Sequence, residues 1–196
     1  MSVALEKSVI TPEQLLAMPD GKDFELVDGE LQERAMSSLS SCVAIRLVIR
    51  LGTHVEVEQL GWVFDSENGY QCFVDSPRTV RKPDISFVRA DRLSVEAIGD
   101  GWLQLVPDLV VEIISPNDLM YEVEEKIEKY RAAGVPLIWV VIPPTRSVRI
   151  IRGDGSSALV RAGDELSGEA VVPGFRCQVA DLFPPRPTAT ASATPG

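Results

Sequence analysis

Apolar positions recur along this chain with two different spacings, and each spacing marks an element. Thr11-Pro12-Glu13-Gln14 sets a capping threonine before a proline, with a glutamine three residues beyond the cap. That order predicts a short helix through Leu15 and Leu16, stopped by Pro19-Asp20-Gly21. Phe24-Glu25-Leu26-Val27 and Glu30-Leu31 flank Asp28-Gly29, a short hairpin signal. From about Ser38 to Leu60, apolar residues at Val43, Leu47, Ile49/Arg50, Leu51 and Val55 predict a long helix closed by Gly61. Strand candidates follow at Trp62–Asp65, Tyr70–Val74 and Ile85–Val88, then a mixed loop-and-helix stretch from Asp91 to Leu105. Leu109–Ile114 reads as a strand, and a helix is expected from about Leu119 to Ala133 with Gly134 as its stop. Pro136 to Ile142 is a near-continuous apolar run typical of a central strand. Ser147–Arg152 and Ala158–Arg161 predict an antiparallel pair turning at Gly153-Asp154-Gly155. The sum is an α/β chain, a mixed β-sheet flanked by helices, with residues 11–184 as one domain. The Pro/Thr/Ala-rich stretch 185–196 has little to bury and is expected to be disordered.

Composition narrows the function classes. At 196 residues, 45% hydrophobic and 24% charged, the chain suits one substantial core. No apolar run reaches a bilayer span and the N-terminus lacks the order of a signal peptide, so a cytoplasmic protein without a membrane partner is expected. Cys42, Cys72 and Cys177 are odd in number and show no CxxC spacing, which argues for a reducing compartment and against a zinc site. The lone histidine, His54, excludes a histidine cage and is expected at the surface. A net charge of −10 opposes broad, sequence-independent nucleic-acid binding. It does not exclude a nuclease, whose acids add to the count. Arg46, Arg50, Arg78, Arg81, Lys82, Arg89 and Arg92 are the candidates for a local basic cluster.

Two acids stand out because each interrupts a β-branched, apolar run: Asp84 in Val80-Arg81-Lys82-Pro83-Asp84-Ile85-Ser86-Phe87-Val88, and Glu112 in Pro107-Asp108-Leu109-Val110-Val111-Glu112-Ile113-Ile114-Ser115. A carboxylate in such a run is costly unless paired or bound to a cation. If the two strands are neighbours, the acids can share a hard ion such as Mg²⁺, with water and the Ile113 backbone carbonyl as further ligands. Such an ion polarises a phosphoryl oxygen and acidifies water, as phosphodiester hydrolysis requires. The plainer alternative makes Asp84 a turn cap and Glu112 half of a surface ion pair.

Pro83-Asp84 followed by Glu112-Ile113-Ile114 resembles the bipartite motif of the PD-(D/E)XK nuclease superfamily. The surrounding order is similar to the Uma-type family, classed with restriction endonucleases and long catalogued as a domain of unknown function. It runs from Thr11-Pro12-Glu13-Gln14-Leu15 through the hairpin to Glu125-Lys126-Ile127-Glu128-Lys129-Tyr130, Gly134-Val135-Pro136, Pro173-Gly174-Phe175 and Asp181-Leu182-Phe183. The resemblance covers about residues 11 to 184. It implies a restriction-endonuclease-like core with an N-terminal helix and β-hairpin, DNA as substrate, Mg²⁺ (or Mn²⁺) as cofactor and a homodimer. The superfamily's lysine two positions after the second acid is Ile114 here, and the resemblance implies Lys126 on the following helix as its substitute. Glu30 matches an acidic position and is implied as a third carboxylate, with Glu25 or Asp28 as alternative inward acids. The family's histidine in the early part of the long helix is missing from Ser37–Cys42.

The expectation is therefore a metal-dependent endodeoxyribonuclease using Asp84, Glu112, Lys126 and Glu30. Its rivals are an inactive nuclease scaffold with a binding role and a metal-dependent hydrolase of smaller substrates. For Lys126 the competing reading is an exposed helix face, with Glu122–Lys126 and Glu125–Lys129 as i,i+4 pairs. On either reading its removal is expected to leave the fold nearly intact.

Overall fold

The computed structural model describes residues 9–34 and 37–185. Helix α1 (Pro12–Ala17) begins at a reciprocal cap: the Gln14 N–H donates to the Thr11 hydroxyl, and the Thr11 N–H donates to the Gln14 side chain. β1 (Phe24–Val27) and β2 (Glu30–Glu33) form the hairpin, turning through Asp28 (φ +50°) and Gly29 (φ +89°). Two positive φ values in succession match the right-handed twist of the flanking strands. α2 (Ser38–Val57) follows, then β3 (Gly61–Asp65), β4 (Ile85–Arg89), β5 (Leu109–Ile113), α3 (Met120–Ala132), β6 (Leu137–Ile142), β7 (Ser147–Arg152) and β8 (Ser157–Arg161). β3 to β8 make one six-stranded sheet in chain order. All neighbours are antiparallel except β5 and β6, which are parallel and joined by α3.

Strand parity divides the core between two faces. Ile85, Phe87, Leu109, Val111, Ile113, Leu137, Trp139 and Val141 join Val43, Leu47, Leu51 and Val55 of α2. Val110, Ile138 and Val140 face the other way, onto Ile127 and Tyr130 of α3. A smaller cluster of Leu15, Leu26 and Val80 seats α1 and the hairpin on the chain approaching β4, where Leu26 and Val80 form an antiparallel bridge. The three-layer order follows from which residues alternate and which recur helically.

The structure corrects several sequence expectations. Tyr70–Val74 is not a strand: Tyr70 makes single bridges to Arg81 and Leu103, and the chain turns at Val74-Asp75 before a ladder can grow. α2 ends at Val57 because Gln59 takes a left-handed conformation (φ +54°). His54 is half-buried, its Nε2 donating to the Pro173 carbonyl at 2.9 Å and its ring edge-on to Phe175. β9 (Glu165–Ser167) and β10 (Arg176–Gln178), an antiparallel pair, had no sequence expectation. By length and composition α2 could cross a membrane; here Val43, Leu47, Leu51 and Val55 are buried in the core. From residue 186 on, the tail expected to be disordered lies outside the described residues.

Candidate active site

The last ladder pair between β4 and β5 is Ile85 opposite Val111, so one step further sets Asp84 opposite Glu112. Residues opposite one another in an antiparallel register share a face, and this one is the face covered by α3. Asp84 Oδ2 accepts the Ile113 N–H at 2.7 Å, and Oδ1 lies 3.8 Å from Arg34 Nη2. Glu112 is held from two sides: Oε1 accepts the Tyr130 hydroxyl at 3.0 Å and Oε2 accepts Lys126 Nζ at 2.9 Å. Lys126 and Tyr130 are four apart on α3, which stacks them on one helix face. The ammonium also lies 2.9 Å from Glu25 Oε1. Glu25 is buried on β1, where Oε1 accepts the Lys82 N–H at 2.6 Å and Oε2 accepts Arg81 Nη1 at 3.0 Å.

Three carboxylates thus surround one ammonium, and their proton affinities separate by neighbourhood. Burial pushes the Glu112 carboxyl up, Lys126 pulls it down, and Asp84 and Glu25 push it up again, leaving it at about 7. Burial also raises Asp84, against the pull of Lys126 and the Ile113 N–H. For Glu25 burial is outweighed by Lys126 and Arg81, which hold it below the ordinary range. Burial opposes the Lys126 charge, but Glu112, Glu25 and Asp84 prevail and hold it protonated above the ordinary lysine range. Tyr130 is pushed well up by burial and by Glu112, so its hydroxyl remains a donor. A carboxyl near neutrality beside an acid and a lysine is the environment expected of a group that exchanges protons or takes a cation.

Glu25, Asp84, Glu112 and Lys126 line a cavity of about 340 Å³. Its acids are Asp23, Glu25, Glu33, Glu67, Asp84, Glu112, Asp118 and Glu122, against Lys22, Arg34, Arg81 and Lys126. Asp84, Glu112, Ile113 and Lys126 are therefore brought together as expected from the sequence. Glu30 is not among the lining residues: it opens β2 opposite Val27, is exposed, and the hairpin acid that reaches the cluster is Glu25. The difference arises because the hairpin crosses the chain before β4 at Leu26–Val80, which carries its neighbour Glu25 inward and leaves the turn end outside. Lys129 bonds Asp28 at 3.1 Å and so ties α3 to the hairpin turn. The competing i,i+4 pair of Lys126 with Glu122 gives way to the two buried acids.

The sequence profile of the Uma2 family, described as "Putative restriction endonuclease", matches residues 12–180. The chain belongs to the Uma2 family. A solved structure described as a "putative nuclease belonging to DUF820" from Anabaena variabilis superposes with a TM-score of 0.76, covering 89% of this chain and 97% of that one at 19% identity. That likeness is one of fold, and it assigns the Uma2 chain a nuclease-like mixed sheet flanked by helices. No curated protein matches the sequence.

Within the Uma2 fold, the lysine beside the two acids comes from α3 and not from β5. Ile114, two residues after Glu112, lines the cavity as an apolar wall, while Lys126 reaches Glu112 from the helix packed above. The Tyr130 hydroxyl contact with Glu112 is not anticipated from the sequence. Its i,i+4 spacing from Lys126 was the available signal. Several of the basic residues singled out for a local cluster are instead tied up by near neighbours. Arg46 donates to the Asp181 carbonyl, Arg89 pairs with Asp91, Arg92 pairs with Asp108, and Lys82 is buried on the Gly21 and Lys22 carbonyls beneath Trp102.

Proposed function

We propose that this Uma2 protein is a metal-dependent endodeoxyribonuclease. The observation that carries this reading is the contact of Lys126 with Glu112 at 2.9 Å, in one cavity with Asp84. It assembles an acid–acid–lysine group from three elements although the strand lysine is absent. The donor set fits a hard cation: two carboxylates, one on β5 and one immediately before β4, both with proton affinity raised by burial, face a cavity with room for water. Among the described residues no three acid, histidine or cysteine side chains form a ready-made metal cage, so water must supply the remaining ligands. Asp84 and Glu112 would hold Mg²⁺ or Mn²⁺, with the Ile113 carbonyl beside them. The ion's contribution is to polarise the phosphoryl oxygen and acidify water.

The residues of the chain do the rest. Lys126 is kept cationic by Glu25 and Glu112 and so suits a group that orients water and offsets charge on a phosphoryl oxygen. Asp84 is held against β5 by the Ile113 N–H, leaving Oδ1 for the cavity side. Cleavage of both strands of a duplex would need two such sites, which a second copy of the chain would bring. A second reading, a nuclease scaffold that binds without cleaving, draws on one observation: eight acids against four bases around the cavity repel a polyanion unless cations intervene.

Nicking of supercoiled plasmid separates the two. Strand scission with Mg²⁺ or Mn²⁺, abolished by a chelator and reduced by about a hundredfold or more in Asp84→Asn and Glu112→Gln, is the expected result. Cation-dependent nicking that persists in both variants would refute the assignment. Absence of cleavage in the parent would favour the binding scaffold.

A further inference from the structure

We infer that Tyr130 is a positioning residue for Glu112: its hydroxyl fixes the carboxylate from the protein side so that the other oxygen is presented to the cavity. The inference rests on the reading of Asp84 and Glu112 as cation ligands and deepens it. Tyr130 is fully buried and donates to Glu112 Oε1 at 3.0 Å, whereas Lys126, partly open to the cavity, takes Oε2 at 2.9 Å. The two oxygens therefore have different roles. Oε1 is anchored by a group that has no route to solvent, and Oε2 is engaged by Lys126, on the side open to the cavity.

A glutamate has three rotatable bonds, and a ligand with that freedom must be ordered when a cation binds. A buried hydroxyl removes that freedom in advance. Hydrogen-bond partners behind a ligating carboxylate commonly change metal affinity by about ten- to a hundredfold when removed. The ring itself has a separate function, since it packs against Phe73 at a centroid distance of 6.1 Å within the cluster under α3. The hydroxyl and the ring can therefore be tested apart.

The experiment is titration of nucleic-acid-free protein with Mg²⁺ in a calorimeter, with near-ultraviolet circular dichroism to show that each variant is folded. Tyr130→Phe keeps the ring and its packing and removes the donor alone, so the fold is retained. Its Mg²⁺ affinity should fall about tenfold or more. Phe73→Leu, which loosens the ring without touching the hydroxyl, should stay within about twofold of the parent. Equal Mg²⁺ affinity in the parent and Tyr130→Phe would overturn the positioning role while leaving the metal reading intact. An equal loss in Phe73→Leu would overturn it too, by assigning the effect to packing. A parent that takes up no Mg²⁺ would overturn the metal reading and this inference with it.

Discussion

Replacing Lys126 with methionine tests whether the ammonium holds the site together. Nζ lies 2.9 Å from both Glu25 and Glu112, and the three side chains are only 17%, 6% and 10% exposed. The variant keeps the unbranched stem as far as Cε and removes the charged group. Breaking a buried ion pair from one side costs about 3–5 kcal/mol, because the remaining charge is stranded. That far exceeds the ~0.3–0.5 kcal/mol of an exposed i,i+4 pair, so the expectation of a nearly intact fold does not survive the structure. The cost must depend on pH. Glu112 already titrates at about 7 in the folded protein, well above its ordinary value. A carboxyl whose folded affinity is raised contributes most below its unfolded value of ~4.3, and that contribution is lost as pH rises through the folded one. Without Lys126, Glu112 moves further up and Glu25 loses a partner that held it down. Urea unfolding followed by circular dichroism should therefore show Lys126→Met less stable than the parent by about 3 kcal/mol at pH 8 and by less than about half that at pH 5. Millimolar Mg²⁺ should recover part of the loss at pH 8, since a cation that binds the folded acids stabilises them by linkage. A loss under about 1 kcal/mol at pH 8, or one independent of pH, would show that the ammonium does not carry the charge balance of the site.

Two other consequences are open to measurement. Because Glu112 must shed its proton to take a cation, Mg²⁺ affinity should weaken by about tenfold per unit below pH 7 and level off above it, with proton release measured by calorimetry in buffers of different ionisation enthalpy; a flat profile from pH 6 to 8 would exclude Glu112 as a ligand. Gly61→Ala should destabilise the fold by about 1–3 kcal/mol in thermal or urea unfolding, because Gly61 has φ +153° and an added Cβ would sit 2.1 Å from the Val88 carbonyl oxygen; a neutral effect would mean that β3 can shift off β4 without cost.

The pattern of residues in the chain was enough for the elements that carry their own signal. The capping box at Thr11, the Asp28-Gly29 turn, the four-residue recurrence of Val43, Leu47, Leu51 and Val55, and the apolar run at Leu137–Ile142 each specify local geometry through nearby atoms. Asp84 and Glu112 were legible for the same reason, since an acid inside an otherwise buried strand has few places to go. The segment at Tyr70 was misread because its apolar residues satisfy separate neighbours, and no local feature distinguishes single bridges from a ladder. The third acid was decided by long-range contact alone: Glu25 and Glu30 belong to the same hairpin, and only the Leu26–Val80 crossing turns one inward and leaves the other in solvent. Lys126 shows the same division. Its helix could be read from sequence, but its choice of Glu25 and Glu112 over Glu122 depends on burial, which strengthens those attractions and exists only after strand, hairpin and helix have met.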